Sequence, residues 1–245
     1  MMVVVTGEPI PGEVPASASG DCRVYRTDPD ALTAGQLQAE SDRFACLARQ
    51  VYVGVRDGTL DPEAAFDMSC MLMQRDQHDP LVQELAEQSA EGTDRVKISG
   101  LARQVLKAIA FQPGFREEPA RLEALERALE VVEADVRATG LSGPLGLILN
   151  DWDDPVQYAH AVFRGGGSGS TAGIHPTAGS DPAQALVAVA DDLQNSIMHI
   201  LWGTVWPVCP AHNLGAHACD HEGAAVWWCN GSGGHVIAAI GKWNS

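Results

Sequence analysis

The chain has 245 residues, of which 45% are hydrophobic, so it can form one large domain or two small ones. Its 32 acidic and 16 basic residues give a formal net charge of −16. This charge opposes nucleic-acid binding, which depends on lysine and arginine at phosphates. No stretch approaches the roughly 18 consecutive apolar residues of a membrane span, and the start lacks a basic region. We therefore expect a cytoplasmic protein with no membrane partner.

The first 33 residues contain four prolines and show little periodicity. This composition predicts a flexible arm over residues 1–33, with a short strand at 2–6 or 22–26.

Residues 34–111 predict a helical domain of four helices. Apolar residues recur at helical intervals from Ala34 to a C-terminal signal at Asp57-Gly58. Asp61-Pro62 and Asp79-Pro80 each supply an N-cap followed by proline at the first helical position. The fourth helix begins at Asp94 or Ser99.

Two features of this helical part have alternative interpretations. Residues 61–95 carry nine acidic side chains against Arg75 and Arg95, which indicates a solvated surface or one that faces a basic partner. Cys46 and Cys70 lie in apolar helical patterns, so we expect both to be buried as small hydrophobic residues.

Residues 112–205 predict an α/β domain. A helix with a leucine- and valine-rich face ends at Thr139-Gly140, and two short apolar segments at 144–151 and 156–164 predict a β-hairpin. A glycine-rich loop follows at 165–173. Asp181-Pro182 then begins the last long helix.

The loops of this part offer only weak chemical signals. The sequence GGGSGST lacks the lysine of a phosphate-binding loop, and Ser168 or Ser170 with His160 or His175 lacks the G-x-S-x-G pattern of an activated serine. DWDDP, residues 151–155, could bind a hard cation but is typical of a hairpin turn.

The tail, residues 206–245, concentrates sulfur and imidazole. Three cysteines and three histidines lie within residues 209–229. Cys209 and His212 have the two-residue spacer that lets one turn direct both side chains at a metal. AAVWWC, ending at Cys229, and HVIAAIG predict two strands joined by the turn NGSGG.

With these spacings, residues 206–241 resemble zinc-knuckle and zinc-ribbon modules. Cys209, His212 and His217 keep the knuckle spacings of two and four residues, whereas the eleven-residue gap before Cys229 is closer to a ribbon. The resemblance implies a structural Zn²⁺ in a module too small to fold on its own core. It names no activity for the whole chain.

The predicted ligands are Cys209, His212, His217 and Cys229. Three further side chains could replace one of them: Cys219, His221 and His235. A disulfide between two of the cysteines is the alternative to a metal. A catalytic zinc would need an open coordination position and a base such as Glu222 or Asp220.

The predicted fold class is α+β: a helical N-terminal part, then helix, β-hairpin, helix and a zinc-ribbon-like β-hairpin. The predicted function is a non-enzymatic protein-binding or scaffold protein, with another protein or a homo-oligomer as partner. Residues 201–245 hold five tryptophans and three charged side chains, so these tryptophans either pack internally or anchor a partner. The rivals are a metal-dependent hydrolase using the Cys/His cluster and a nucleic-acid-associated regulator.

Overall fold

A computed structural model describes residues 33–75, 79–92, 94–150, 157–166 and 172–244. The predicted arm, except Thr33, the DWDDP turn and most of the glycine-rich loop lie outside these residues. The chain divides into two compact units, with a boundary in the sequence between Pro113 and Gly114. The predicted domain boundaries at 111 and 205 stay predictions.

The N-terminal unit is helical, as predicted. Its four helices span the following residues: α1 Ala34–Asp57, α2 Pro62–Gln74, α3 Pro80–Glu91 and α4 Arg95–Ala108. The side chains of Asp61, Asp79 and Asp94 each accept a hydrogen bond from a backbone N–H in the first turn of the next helix. These caps satisfy amide groups that the helix itself leaves without acceptors, and so fix where each helix begins.

The two cysteines of this unit differ. Cys46 on α1 is exposed and its thiol is free, so the prediction that it is buried is wrong. The buried face of α1 includes Ala48 and Val51, and Cys46 is not part of it. Cys70 on α2 is buried, as predicted, and is disulfide-bonded, which its pattern did not indicate.

The C-terminal unit contains two helices and two antiparallel sheets. The elements in chain order are α5 Pro119–Ala138, β1 Leu145–Leu149, β2 Ala159–Phe163, a short 3-10 helix Pro176–Ser180, α6 Pro182–Ile200, β3 Ala216–His221, β4 Ala224–Cys229 and β5 His235–Ala239. β1 pairs with β2, and β3, β4 and β5 form a second sheet in that order. The predicted α+β class is confirmed, and β3 extends the predicted C-terminal hairpin to three strands.

Helix α6 covers one edge of the first sheet. The backbone N–H of Ala161 donates to the Asp192 carboxylate (2.6 Å), and that of Phe163 donates to the Ser196 hydroxyl (3.0 Å). Asp192 and Ser196 are four residues apart, so both reach β2 from one helix face. The strand therefore has no exposed row of donors on this side.

One hydrophobic core joins α5, β2, α6 and the second sheet. Val132 of α5, Phe163 of β2, Leu193 of α6 and Trp227 of β4 are all fully buried in it. The tail thus packs on the helices of this unit. None of the helices in the described part of the chain combines the length and the hydrophobicity that a membrane span requires.

Candidate metal centre

The first half of the centre is a turn at Cys209–His212. The backbone N–H of Cys209 donates to the Leu214 carbonyl, and that of Asn213 donates back to the Cys209 carbonyl, both at 2.8 Å. Asn213 adopts the left-handed conformation, with φ of 53°, which asparagine tolerates better than most residues. These bonds fold the chain back sharply, so that the Cys209 and His212 side chains point at one place.

The second half is the β4–β5 connection. Cys229 ends β4 and His235 begins β5, and the two residues are directly opposite in the antiparallel register. Opposite residues point to the same face of a sheet, so the thiol and the imidazole converge. The backbone N–H of Gly231 donates to the Cys229 sulfur at 3.3 Å.

The four side chains meet with the spacing of metal ligands. Cys209 Sγ lies 3.7 Å from His212 Nδ1 and 3.6 Å from His235 Nε2, and Cys229 Sγ lies 3.5 Å from His212 Nδ1. Zn–S of about 2.3 Å and Zn–N of about 2.05 Å place sulfur and nitrogen about 3.6 Å apart across a tetrahedral angle. Three sulfur–nitrogen separations therefore match those of a tetrahedral site, and all four donor atoms lie within 4.8 Å of one another.

The environment favours the thiolate form of Cys209. Burial raises the pKa of this thiol, but the backbone N–H groups of His212 and Ala211, the His212 side chain and the Cys229 thiol together lower it to about 6. Both cysteines are fully buried, whereas both histidines are half-buried. A thiolate that is shielded from water and supported by amide donors is the form that binds metal.

Three of the four predicted ligands come together here: Cys209, His212 and Cys229. The fourth member of the group is His235, one of the alternatives, and not His217. His217 is opposite Trp228 on β4, one residue before Cys229. A one-residue offset turns a side chain to the other face of a sheet, and His217 is exposed there.

The other two alternatives share that outer face. Cys219 and His221 follow His217 at two-residue intervals on β3, and the His221 ring lies 5.0 Å from the Trp228 ring. Burial, and then the charge of Asp220, raise the pKa of the Cys219 thiol, which opposes the thiolate form. Neither side chain belongs to the four-residue group.

A glycine allows the His212 ring to reach its position. A β-carbon at Gly231 would lie 2.5 to 2.9 Å from three atoms of that ring, closer than non-bonded carbon and nitrogen can approach. The turn NGSGG therefore reverses the chain and also leaves room for the His212 ring against Gly231.

Two buried polar side chains hold the sheet to the helices, and neither was predicted from the sequence. Asp135 on α5 accepts hydrogen bonds from Trp227 Nε1 (2.7 Å) and from the backbone N–H groups of Gly241 (2.7 Å) and Trp243 (2.8 Å). Gln194 on α6 donates to the carbonyls of Trp206 and Ala216. An aspartate beside Val136 on the apolar face of α5 was the available signal.

Of the five tryptophans in residues 201–245, three are buried and one projects into solvent. Trp206, Trp227 and Trp243 are buried in the shared core, where Trp227 contacts each of the others edge to face. Trp202 is 96% exposed. Internal packing therefore accounts for three of these tryptophans, whereas the Trp202 ring lies in solvent.

The weaker loop signals lie largely outside the described residues, which exclude Ser168, Ser170 and 151–155. His160 and His175 are described and bond elsewhere: His160 Nε2 to the Asn150 amide and His175 Nδ1 to the Thr177 hydroxyl, both at 2.8 Å.

No protein-family model, curated protein or solved structure matches the chain.

Proposed function

We propose that this chain is a non-enzymatic protein-binding or scaffold protein whose C-terminal sheet is held by a structural zinc ion at Cys209, His212, Cys229 and His235. The observation that carries the proposal is the convergence of two thiols and two imidazole nitrogens, all within 4.8 Å of one another. The resemblance of residues 206–241 to zinc-ribbon and zinc-knuckle modules supports it, because each of two turns supplies one cysteine and one histidine.

Zinc fits this donor set better than the other common divalent ions. Two sulfur and two nitrogen donors in a tetrahedral arrangement are typical of zinc, whereas magnesium and calcium take oxygen ligands in larger numbers. The three sulfur–nitrogen separations of 3.5 to 3.7 Å match that geometry.

The number of donors favours a structural role. Four protein ligands complete a tetrahedron, and a metal-dependent hydrolase needs a position left for water. Asp220 and Glu222, the nearest acidic residues in the sequence, have exposed side chains at the β3–β4 turn. We expect the bound ion to stabilise the sheet formed by β3, β4 and β5.

Two surfaces support a protein-binding role. Trp202 projects into solvent, and exposed tryptophans are enriched at interface hot spots. The acidic stretch of residues 61–95 suits a basic protein surface, and together with the net charge of −16 it opposes the rival role on nucleic acid.

Metal analysis of the purified chain tests the proposal. We expect one zinc per chain by elemental mass spectrometry, and Co²⁺ replacement should give the visible absorption of a tetrahedral site with sulfur ligands. Cys229→Ser should lose stoichiometric metal. Cys219→Ser is the matched control, because this free thiol lies on the same sheet outside the group, and it should retain full loading.

Two results would contradict the proposal. Native protein without a stoichiometric transition metal would remove the structural ion. A metal-loaded chain that is strictly monomeric and carries no partner through purification and cross-linking would remove the binding role. An octahedral Co²⁺ spectrum, with water among the ligands, would instead favour the hydrolase.

A further inference from the structure

The first sheet has one covered edge and one open edge. On the β2 edge, each outward N–H group has an acceptor, which is supplied by Ile174, Asp192 or Ser196. On the β1 edge, no other described residue forms a backbone hydrogen bond with the outer side of the strand. An uncovered strand edge is a place where another strand can add.

The bonds at the two ends of the hairpin show which β1 groups point outward. The backbone N–H of Asn150 donates to the Tyr158 carbonyl, and that of Arg164 donates to the Pro144 carbonyl. Bonded pairs alternate along an antiparallel ladder, so every second residue of β1 faces away from β2. The residues whose N–H and C=O groups face outward are Leu145, Leu147 and Leu149. These groups are a template for a strand of about five residues.

Both faces of the sheet are apolar next to this edge. Leu145 and Leu147 pack against the hydrophobic core on one face. Ile148 lies on the other face and is 43% exposed. A strand that extends this sheet therefore needs apolar side chains in consecutive positions, and not the alternation that is typical of a strand with one solvated face.

One segment of the chain that lies outside the described residues has this pattern. Residues 2–6, MVVVT, include the only run of four consecutive β-branched residues in the sequence and carry no charge. Their number equals the five residues of β1. The alternative strand predicted at 22–26, CRVYR, carries Arg23 and Arg26, which an apolar edge would not accommodate.

We infer that residues 2–6 add to the open edge of β1 as a third strand of the first sheet. The unpaired backbone groups of β1 then gain partners, and the apolar side chains of residues 2–6 extend both faces of the sheet. The inference goes beyond the proposed function and does not depend on the zinc ion.

The covalent connection favours this segment over a strand from another molecule. Residues 7–32 span up to about 85 Å when extended, against a diameter of about 36 Å for a compact unit of roughly 130 residues. Tethering gives an attached strand an effective concentration of about 1 mM, roughly a thousandfold above a second chain at about 1 μM. Two chains that each carry a charge of −16 also repel each other.

Hydrogen exchange resolved by NMR tests the third strand in the zinc-loaded full chain. We expect the Leu147 amide to exchange slowly, although it points away from β2. Val4→Pro removes a backbone donor from the centre of the added strand and should speed this exchange about tenfold or more. Val24→Pro, the same change in the alternative segment, is the matched control and should leave the rate unchanged. The Ile148 amide bonds to β2 and should stay protected in both variants.

Mixing isotope-labelled and unlabelled chains identifies the molecule that supplies the strand. Nuclear Overhauser contacts between residues 2–6 and β1 should appear within one labelled chain and should persist in an excess of unlabelled chain. Contacts between labelled and unlabelled chains would assign the edge to a second copy and overturn the inference.

The exchange rates can contradict the inference in three ways. Fast exchange of the Leu147 amide in the wild-type chain would show that no strand covers the edge. Equal protection in wild type and Val4→Pro would show that another segment covers it. Loss of protection in Val24→Pro alone would assign the edge to residues 22–26. Metal analysis of the same samples separates each of these results from failure of the zinc site.

Discussion

Exchanging His235 and His217 for glutamine, one at a time, distinguishes the group that the fold assembles from the set that spacing alone predicts. His235 Nε2 is 3.6 Å from Cys209 Sγ, whereas His217 is exposed on the opposite face of the sheet. Glutamine keeps much of the size and polarity of the side chain, but removes the imidazole nitrogen that binds zinc.

The expected loss follows from the number of donors. Structural zinc binds with about 12 kcal/mol, so removing one of four ligands should weaken binding by about 3 kcal/mol, or about 100-fold. His235→Gln should show this loss, and His217→Gln should bind zinc within about twofold of wild type, because exposed substitutions have small effects.

Competition with a chromophoric chelator measures both affinities, and circular dichroism of the zinc-loaded proteins checks that each variant is folded. If His217→Gln released the metal while His235→Gln retained it, the assignment of His235 as a ligand from the pairing of β4 with β5 would be wrong. If neither variant altered the affinity, the two thiols would be binding an ion without either histidine.

Three further changes probe how the sheet is held. Asp135→Ala leaves three buried N–H groups without their acceptor and should lower the free energy of unfolding by about 3 kcal/mol or more in urea titrations; exposed Asp191→Ala should change it by less than about 0.5 kcal/mol. Gly231→Ala should push the His212 ring out of place and weaken zinc binding about tenfold or more, whereas Gly100→Ala, where a β-carbon meets nothing within 4 Å, should not; equal affinities would refute the close-approach argument. Chelation of the zinc should speed hydrogen exchange in β4 and β5 and leave α2 and α3 unchanged, and uniform acceleration along the chain would contradict this.

Local signals explain why the helices were predicted well. The Asp-Pro pairs at 61–62, 79–80 and 181–182 cap the helices that follow them. These are interactions between neighbours in the chain, so the sequence contains all that is needed to place them. Cys46 is exposed although its neighbours in the sequence are apolar, because burial depends on the face of α1 on which a residue lies.

Only part of the metal centre can be predicted from residues that are close in the sequence. Cys209 and His212 share one turn, and their spacing predicted the pair. The choice between His217 and His235 depends on which strand residues are opposite Cys229, and a register is a property of the folded sheet. Asp135 illustrates the same limit, because its donors come from distant residues.

The bonds of Asp135 impose an order on folding during synthesis. Its three donors lie 92, 106 and 108 residues further along the chain. Helix α5 can form as soon as it emerges, but its aspartate must stay in water until Trp227 and the residues after it arrive. Nascent chains stalled before Trp227 should therefore leave the apolar face of α5 open to chaperones, and should close it only when translation proceeds to Trp243.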